Sequence, residues 1–188
     1  MILALVLLVV GVAIGAAVSF FVPGGSRRVS RASRPTTTGR ILLPFTGTTV
    51  SRRALDAALR LAKIDDATLM PAFLATVPLT LSLDSPLPNQ CTVGMPLLEA
   101  IEQRAAAQDV VVDARIERGR SYRHALSRLL ERESFDRVIV SATGDPRVGL
   151  SGDDLMWLLL HAKAEVLILR AAPEDRRVVS AEELAGHF

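Results

Sequence analysis

Apolar positions fall into three regimes along this chain. From Ile2 to Val22 they are unbroken, with no charge and only Ser19 as a polar side chain. From Pro23 to Gly39 (PGGSRRVSRASRPTTTG) all periodicity is lost. From Arg40 onward, short apolar runs alternate with stretches in which apolar residues recur every three or four positions, the pattern of strands alternating with helices.

Within this third regime, Arg40-Ile-Leu-Leu-Pro-Phe45 runs into the polar turn Thr46-Gly47-Thr48-Thr49, as a parallel strand buried on both faces would. From Ser51, residues Leu55, Ala58, Leu59 and Ala62 form a helical stripe, with Arg52, Arg53, Asp56, Arg60 and Lys63 largely outside it. Ala67 to Leu74 is a second strand, although Pro71 in its middle removes a ladder donor. Val77 to Pro96, with Pro78, Pro86, Pro88, Asn89 and Gly94, reads as a long loop, of the kind usually functional or disordered. Pro96 then opens a helix through Leu97, Leu98, Ile101 and Ala105. Asp109 to Ile116 is a third strand, Ser121 to Glu133 a third helix and Arg137 to Ser141 a fourth strand. Leu155 to His161 is a very apolar helix core, and Glu165 to Arg170 a fifth strand. Ser180-Ala-Glu-Glu183 has the spacing of a capping box that starts a short terminal helix. This order predicts an α/β fold, an open five-stranded parallel sheet with helices on both faces. Ligands bind such sheets outside the carboxyl ends of the strands, near the reversal of strand order. The loops after Phe45 and after Ser141 are therefore the candidate site.

Charge sharpens this picture. The 188 residues hold 22 Lys and Arg against 20 Asp and Glu, but Arg27, Arg28, Arg31, Arg34 and Arg40 fall in or beside one acid-free segment. Without these five, 17 bases face 20 acids, so the globular part is mildly acidic and no nucleic-acid footprint is expected. At ~1.5 Å per residue, residues 2–22 reach about 31 Å, enough to cross a bilayer core of roughly 30 Å. A cleaved signal peptide would carry positive charge before a shorter apolar stretch, and nothing basic precedes Ile2. The one-sided arginines place the N-terminus outside and the following domain in the cytoplasm, giving a single-pass protein of the cell membrane. Residues 1–22 are then a transmembrane helix and 23–39 a basic flexible tether, for which a plain stop-transfer flank is sufficient. Gly11 and Gly15, continued by Ser19, offer a small-residue face for pairing inside the membrane.

Catalytic patterns are scarce. His124, His161 and His187 are scattered and form no metal-binding pair, so no metal is expected. Ser141 lacks the flanking glycines of a nucleophile elbow. A phosphoacceptor receiver would need an aspartate where Thr46 stands. The lone Cys91 has no basic neighbour within six positions and reads as an ordinary thiol.

The residues that do form a pattern resemble the universal stress protein family. Arg40-Ile-Leu-Leu-Pro-Phe-Thr-Gly-Thr48 is similar to the family's first strand, R-I-L-V-P-V-D-G-S. Arg53 to Ala62 is similar to its first helix, Gly119 to Ala125 to its G-x-P-x-x-x-I, and Asp136 to Ser141 to its D-L-I-V-M-G. His161-Ala-Lys-Ala-Glu-Val-Leu-Ile-Leu-Arg170 resembles its H-A-P-C-P-V-L-V-V-R. The resemblance implies a domain over 40–170, followed by a tail over 171–188. It also implies a site at Pro44, Thr46, Gly47, Ser141, Gly144, Gly152 and Asp153.

Members that bind ATP carry G-x2-G-x9-G-[S/T] after the fourth strand. Here Ser141 replaces the first glycine, seven residues rather than nine separate Gly144 from Gly152, and Asp153 replaces the hydroxyl. Asp154 follows it, and Thr46 replaces the first-strand aspartate. Carboxylates at a helix start suit its dipole and repel a triphosphate, so Asp153 is expected to be a helix N-cap and ATP is disfavoured. No cofactor is expected. The resemblance implies a non-enzymatic, membrane-anchored stress-response module that binds or scaffolds. Its alternative is a membrane-bound sensor of ATP or another nucleotide. The expected partners are the membrane itself, a second copy joined through the terminal strand, and a membrane protein.

Overall fold

The computed structural model describes residues 39–86, 88–142, 149–170 and 178–186. The span expected at 2–22, the tether up to residue 38, Gly144 and His187 lie outside these residues. Among the described residues no helix is long and apolar enough to cross a membrane.

The strand Arg40–Phe45 (β1) is buried from Ile41 onward, because it lies at the centre of the sheet. After a turn come β2 (Val50–Ser51) and helix α1 (Arg52–Asp65), then β3 (Thr68–Thr76), α2 (Pro88–Ala106) and β4 (Arg115–Gly119). The chain continues through α3 (Tyr122–Arg132), β5 (Arg137–Ser141), α4 (Gly152–His161) and β6 (Glu165–Leu169). It ends in β7 (Val178–Val179) and α5 (Ala181–Ala185). The five longer strands make a parallel sheet ordered β4-β3-β1-β5-β6. Strand order therefore reverses between β1 and β5, and the crevice at their carboxyl ends is the natural ligand position.

Alternation along the strands sorts the interior into two apolar layers. Ile41, Leu43 and Phe45 of β1, with Leu69 and Phe73 of β3, meet Leu55, Leu59 and Ala62 of α1 and Leu97 and Ile101 of α2. Leu42, Met70, Leu74, Val138 and Val140 turn the other way, against Leu126 and Leu129 of α3 and Leu155 and Leu158 of α4. Helix α1 starts where Ser51 accepts the amide of Ala54, and ends where Asp66 adopts a left-handed conformation.

The structure corrects the sequence reading in three places. First, Val77 to Pro96 is not a loop throughout: α2 begins at Pro88, and Pro96 lies inside it. Pro88 already supplies the favoured first position. Pro96 is exposed, while Gly94, Leu97, Leu98 and Ile101 on the same helix are buried. The interior proline is thus tolerated on the water side, and packing of the opposite side holds the helix.

Second, the third strand is Arg115–Gly119 rather than Asp109 to Ile116, and the cause is Pro71. Leu69 takes both ladder bonds from the approaching chain, its amide to Val111 and its carbonyl from Asp113, each at 2.9 Å. The next donation on that side falls to residue 71, which has no N–H. The segment shows one isolated bridge, Leu69 to Val112, and the ladder restarts where Ala72 faces Arg115.

Third, the tail contains a strand. Val178 and Val179 pair antiparallel with Ser51 and Val50, and Val179 and Leu184 enter the layer beneath α2. The Ser180–Glu183 capping box forms and starts α5.

Candidate functional site

At the carboxyl end of β1, Thr46 is only 3% exposed despite its hydroxyl. That hydroxyl accepts the amide hydrogen of Gly149 at 3.2 Å and donates to the Gly149 carbonyl at 3.3 Å. One side chain thus satisfies both backbone groups of a single residue and fastens the end of β1 to the approach to α4. Gly149 has φ 88°, the left-handed region that favours glycine. The sequence reading gave Thr46 a place in the site and had no signal for its partner.

Behind this latch a cavity of about 20 Å³ is lined by Leu43, Pro44, Thr49, Ser141, Gly149 and Leu150. That volume holds about one water, whereas small-molecule pockets run to roughly 300–1,000 Å³. Two expected site residues, Pro44 and Ser141, therefore do meet. Gly47 is half-buried in a turn with φ 72°, and Gly144 lies outside the described residues.

The start of α4 corrects the expectation for Asp153. The N-cap is Ser151, whose hydroxyl accepts the Asp154 amide at 3.1 Å and donates to its carboxylate at 2.7 Å. Arg123 of α3 donates to the other Asp154 oxygen at 3.1 Å, so this charge turns toward α3 and is compensated. Asp153 lies exposed in the first turn and would carry the repulsion toward a phosphate alone. At Gly152 an added Cβ would meet nothing within 4 Å, so no contact among the described residues demands glycine there.

Across the crevice, Gln90 of α2 binds both backbone groups of Thr76, the last residue of β3. Its carboxamide oxygen accepts the Thr76 amide hydrogen at 2.9 Å, and its nitrogen donates to the Thr76 carbonyl at 2.6 Å. Sequence reasoning missed this pair because Gln90 fell in the presumed loop. Gly94, one turn further on, allows the approach: a Cβ there would lie 2.5 Å from the Phe73 ring. Arg120 donates to the carbonyls of Val77 and Pro78, and Arg118 to that of Asp84 at 3.4 Å, holding the connection between β3 and α2. At Gly119, a Cβ would clash with the backbone of Ala125 at 2.3 Å, so glycine is needed for α3 to start against the end of β4.

Among the described residues, no three His, Cys, Asp or Glu side chains gather where they could hold a metal ion. The Nδ1 of His161 meets the Trp157 carbonyl at 2.8 Å, and its ring stacks on Trp157.

This is an α/β domain whose parallel sheet reverses strand order beside a cavity of about 20 Å³ among the described residues. The sequence profile of the universal stress protein family matches residues 37–170, and the chain belongs to that family. A universal stress protein from Burkholderia pseudomallei is 21% identical with a TM-score of 0.54, covering 73% of this chain and 100% of its own. A universal stress protein in complex with cAMP is also 21% identical, with a TM-score of 0.53 and coverage of 72% and 98%. A family protein from Arabidopsis thaliana with AMP bound is 14% identical, with a TM-score of 0.52 and coverage of 72% and 94%. At these identities the likeness concerns the fold. A search of the curated proteins found no match.

Proposed function

We propose that this chain is a stress-response module that works by binding or scaffolding at a membrane, with a nucleotide crevice too reduced to take ATP. The Thr46–Gly149 latch carries the reading: it closes the end of β1 onto the approach to α4 and leaves a cavity of about 20 Å³. Asp153 adds a charge where a phosphate would approach the start of α4. At ~4 Å and an effective dielectric of about 20, such a like-charge contact costs on the order of 4 kcal/mol before screening. The exposure of Asp153 reduces that figure substantially.

Residues 2–22 supply the anchor in this reading, and the arginines after them set the cytoplasmic orientation. A cysteine in place of Arg31 should resist an impermeant thiol reagent in intact cells, and labelling there overturns the orientation. For the crevice, calorimetric titration of the full-length chain with ATP should give no saturable heat below the high micromolar range. A low-micromolar dissociation constant overturns the closed crevice. The second reading, a nucleotide sensor, draws support from the relatives that hold cAMP and AMP, whose smaller phosphate groups would meet Asp153 less severely. Co-purified AMP or cAMP in native mass spectra of the wild-type chain would favour it.

A further inference from the structure

A second cavity lies at the amino-terminal ends of β5 and β6, the opposite end of the sheet from the Thr46–Gly149 latch. Helix α3 stops at Arg132 and α4 at His161, and each is followed by an extended cap residue, Glu133 and Ala162, that leads toward the next strand. Between these helix ends is a space of about 530 Å³, within the roughly 300–1,000 Å³ of small-molecule sites. Its floor is Leu130, Phe135, Trp157 and Ala164, each half-buried and packed against the layer that holds Leu126, Leu129 and Leu158. The His161 ring stacks on Trp157 with centroids 5.1 Å apart, which holds the indole in place. A wall fixed in advance binds a flat ligand at little ordering cost.

Glu131, Arg132, Glu133 and Lys163 also line this cavity, and two of the four are already matched. Arg132 pairs with Glu117, and Glu133 with Arg40 at 2.5 Å. Glu131, on α3, and Lys163, in the turn between α4 and β6, have no ion-pair partner among the described residues. The Ser127 hydroxyl donates to one Glu131 oxygen at 2.8 Å and leaves the other free to accept. One cavity thus carries an unmatched carboxylate on one wall, an unmatched ammonium on another, and an aromatic floor. A ligand of single charge would answer only one of the two. We infer that this cavity binds a free amino acid with an aromatic side chain. Its ammonium meets Glu131, its carboxylate meets Lys163, and its ring packs on Trp157 and Phe135. Both charged side chains are exposed, so each pair adds little by itself. Burial of the ring supplies most of the affinity, and the two charges select the zwitterion. The site shares no residue with the latch and stands apart from the closed-crevice reading.

Trp157 is the one tryptophan of the chain, so its emission reports on this cavity. The test is fluorescence titration of the detergent-solubilised full-length chain with three ligands. These are L-phenylalanine, phenethylamine, which lacks the carboxylate, and 3-phenylpropionate, which lacks the ammonium. Phenylalanine should shift the emission saturably, and each analogue should bind about fivefold more weakly. Lys163→Gln should erase the preference over phenethylamine, and Glu131→Gln the preference over 3-phenylpropionate, each to within about twofold. An emission unmoved up to the solubility limit of phenylalanine overturns the inference. So does equal affinity for the three ligands, or a preference that survives in either variant when that variant melts like wild type. Should a variant fail to fold, the wild-type comparison of the three ligands decides alone.

Discussion

Gly94 shows how one missing side chain can organise a neighbourhood. A methyl group there would sit 2.5 Å from the ring of Phe73, which itself packs 5.7 Å from Phe45 in the same layer. Alanine favours a helix by about 1 kcal/mol over glycine, but overpacking a core costs about 1–3 kcal/mol. Phe73 is buried and packed against Phe45, so it has no room to swing clear and the steric cost wins. Gly94→Ala is expected to lower unfolding free energy by up to about 2 kcal/mol in urea titrations. It should also weaken the Gln90–Thr76 bonds by lifting α2 from β3. Neither Gly94 nor Thr46 was interpretable by periodicity. Gly94 read as one more loop glycine because its partner, Phe73, lies on β3. The Thr46 partner, Gly149, is 103 positions away.

At the scale of elements, what sequence conveyed well were pieces whose stability is local. α1 has a serine cap, a clean apolar stripe and a left-handed end, so its outline could be read directly. α2 could not, because its prolines look like breakers and the contacts that overrule them belong to β3. The displaced start of β4 is a similar case: Pro71 was visible, but the consequence fell on a strand more than forty residues later. Joints between elements are equally non-local. Arg137 at the start of β5 donates to Glu165 of β6 at 2.5 Å and to Asp65 at the end of α1. The bond to Glu165 raises its pKa, with Asp65 adding to this and burial opposing it, so the guanidinium stays charged at any ordinary pH. Arg137→Met should cost about 1–2 kcal/mol in thermal or urea unfolding, toward the lower end for bonds to charged groups because the pair with Glu165 is partly solvated. The difference between variant and wild type should shrink in 1 M salt, about where screening acts over ~3 Å.

For the whole molecule, the edge at β6 matters most. Its described hydrogen-bonded partner is β5, and the described tail lies elsewhere, against β2 and α2. Ile168 on that strand is 37% exposed, and the adjoining helix α4 leaves Met156, Leu159 and Leu160 at 50–73%. An apolar edge strand, if left bare, invites a strand from another chain, and we propose that the homodimer expected from the sequence pairs β6 with its copy. Detergent-solubilised chain should run as a dimer in light scattering, and Ile168→Lys should shift it to monomer. A wild type that is monomeric at high concentration rules out this interface. The described tail has a second consequence, for synthesis. Val50 is made early, yet the strand that covers it is β7, and Leu184 seals the same layer below α2. Chains fold as they emerge from the ribosome, amino-terminal parts first. β1, α1 and β3 can assemble while the rest is still being translated, but the seam at Val50 stays open until residues 178–184 appear. A nascent chain of this domain therefore carries an apolar gap from the emergence of Val50 until residues 178–184 follow, and a chaperone or protease would find it there.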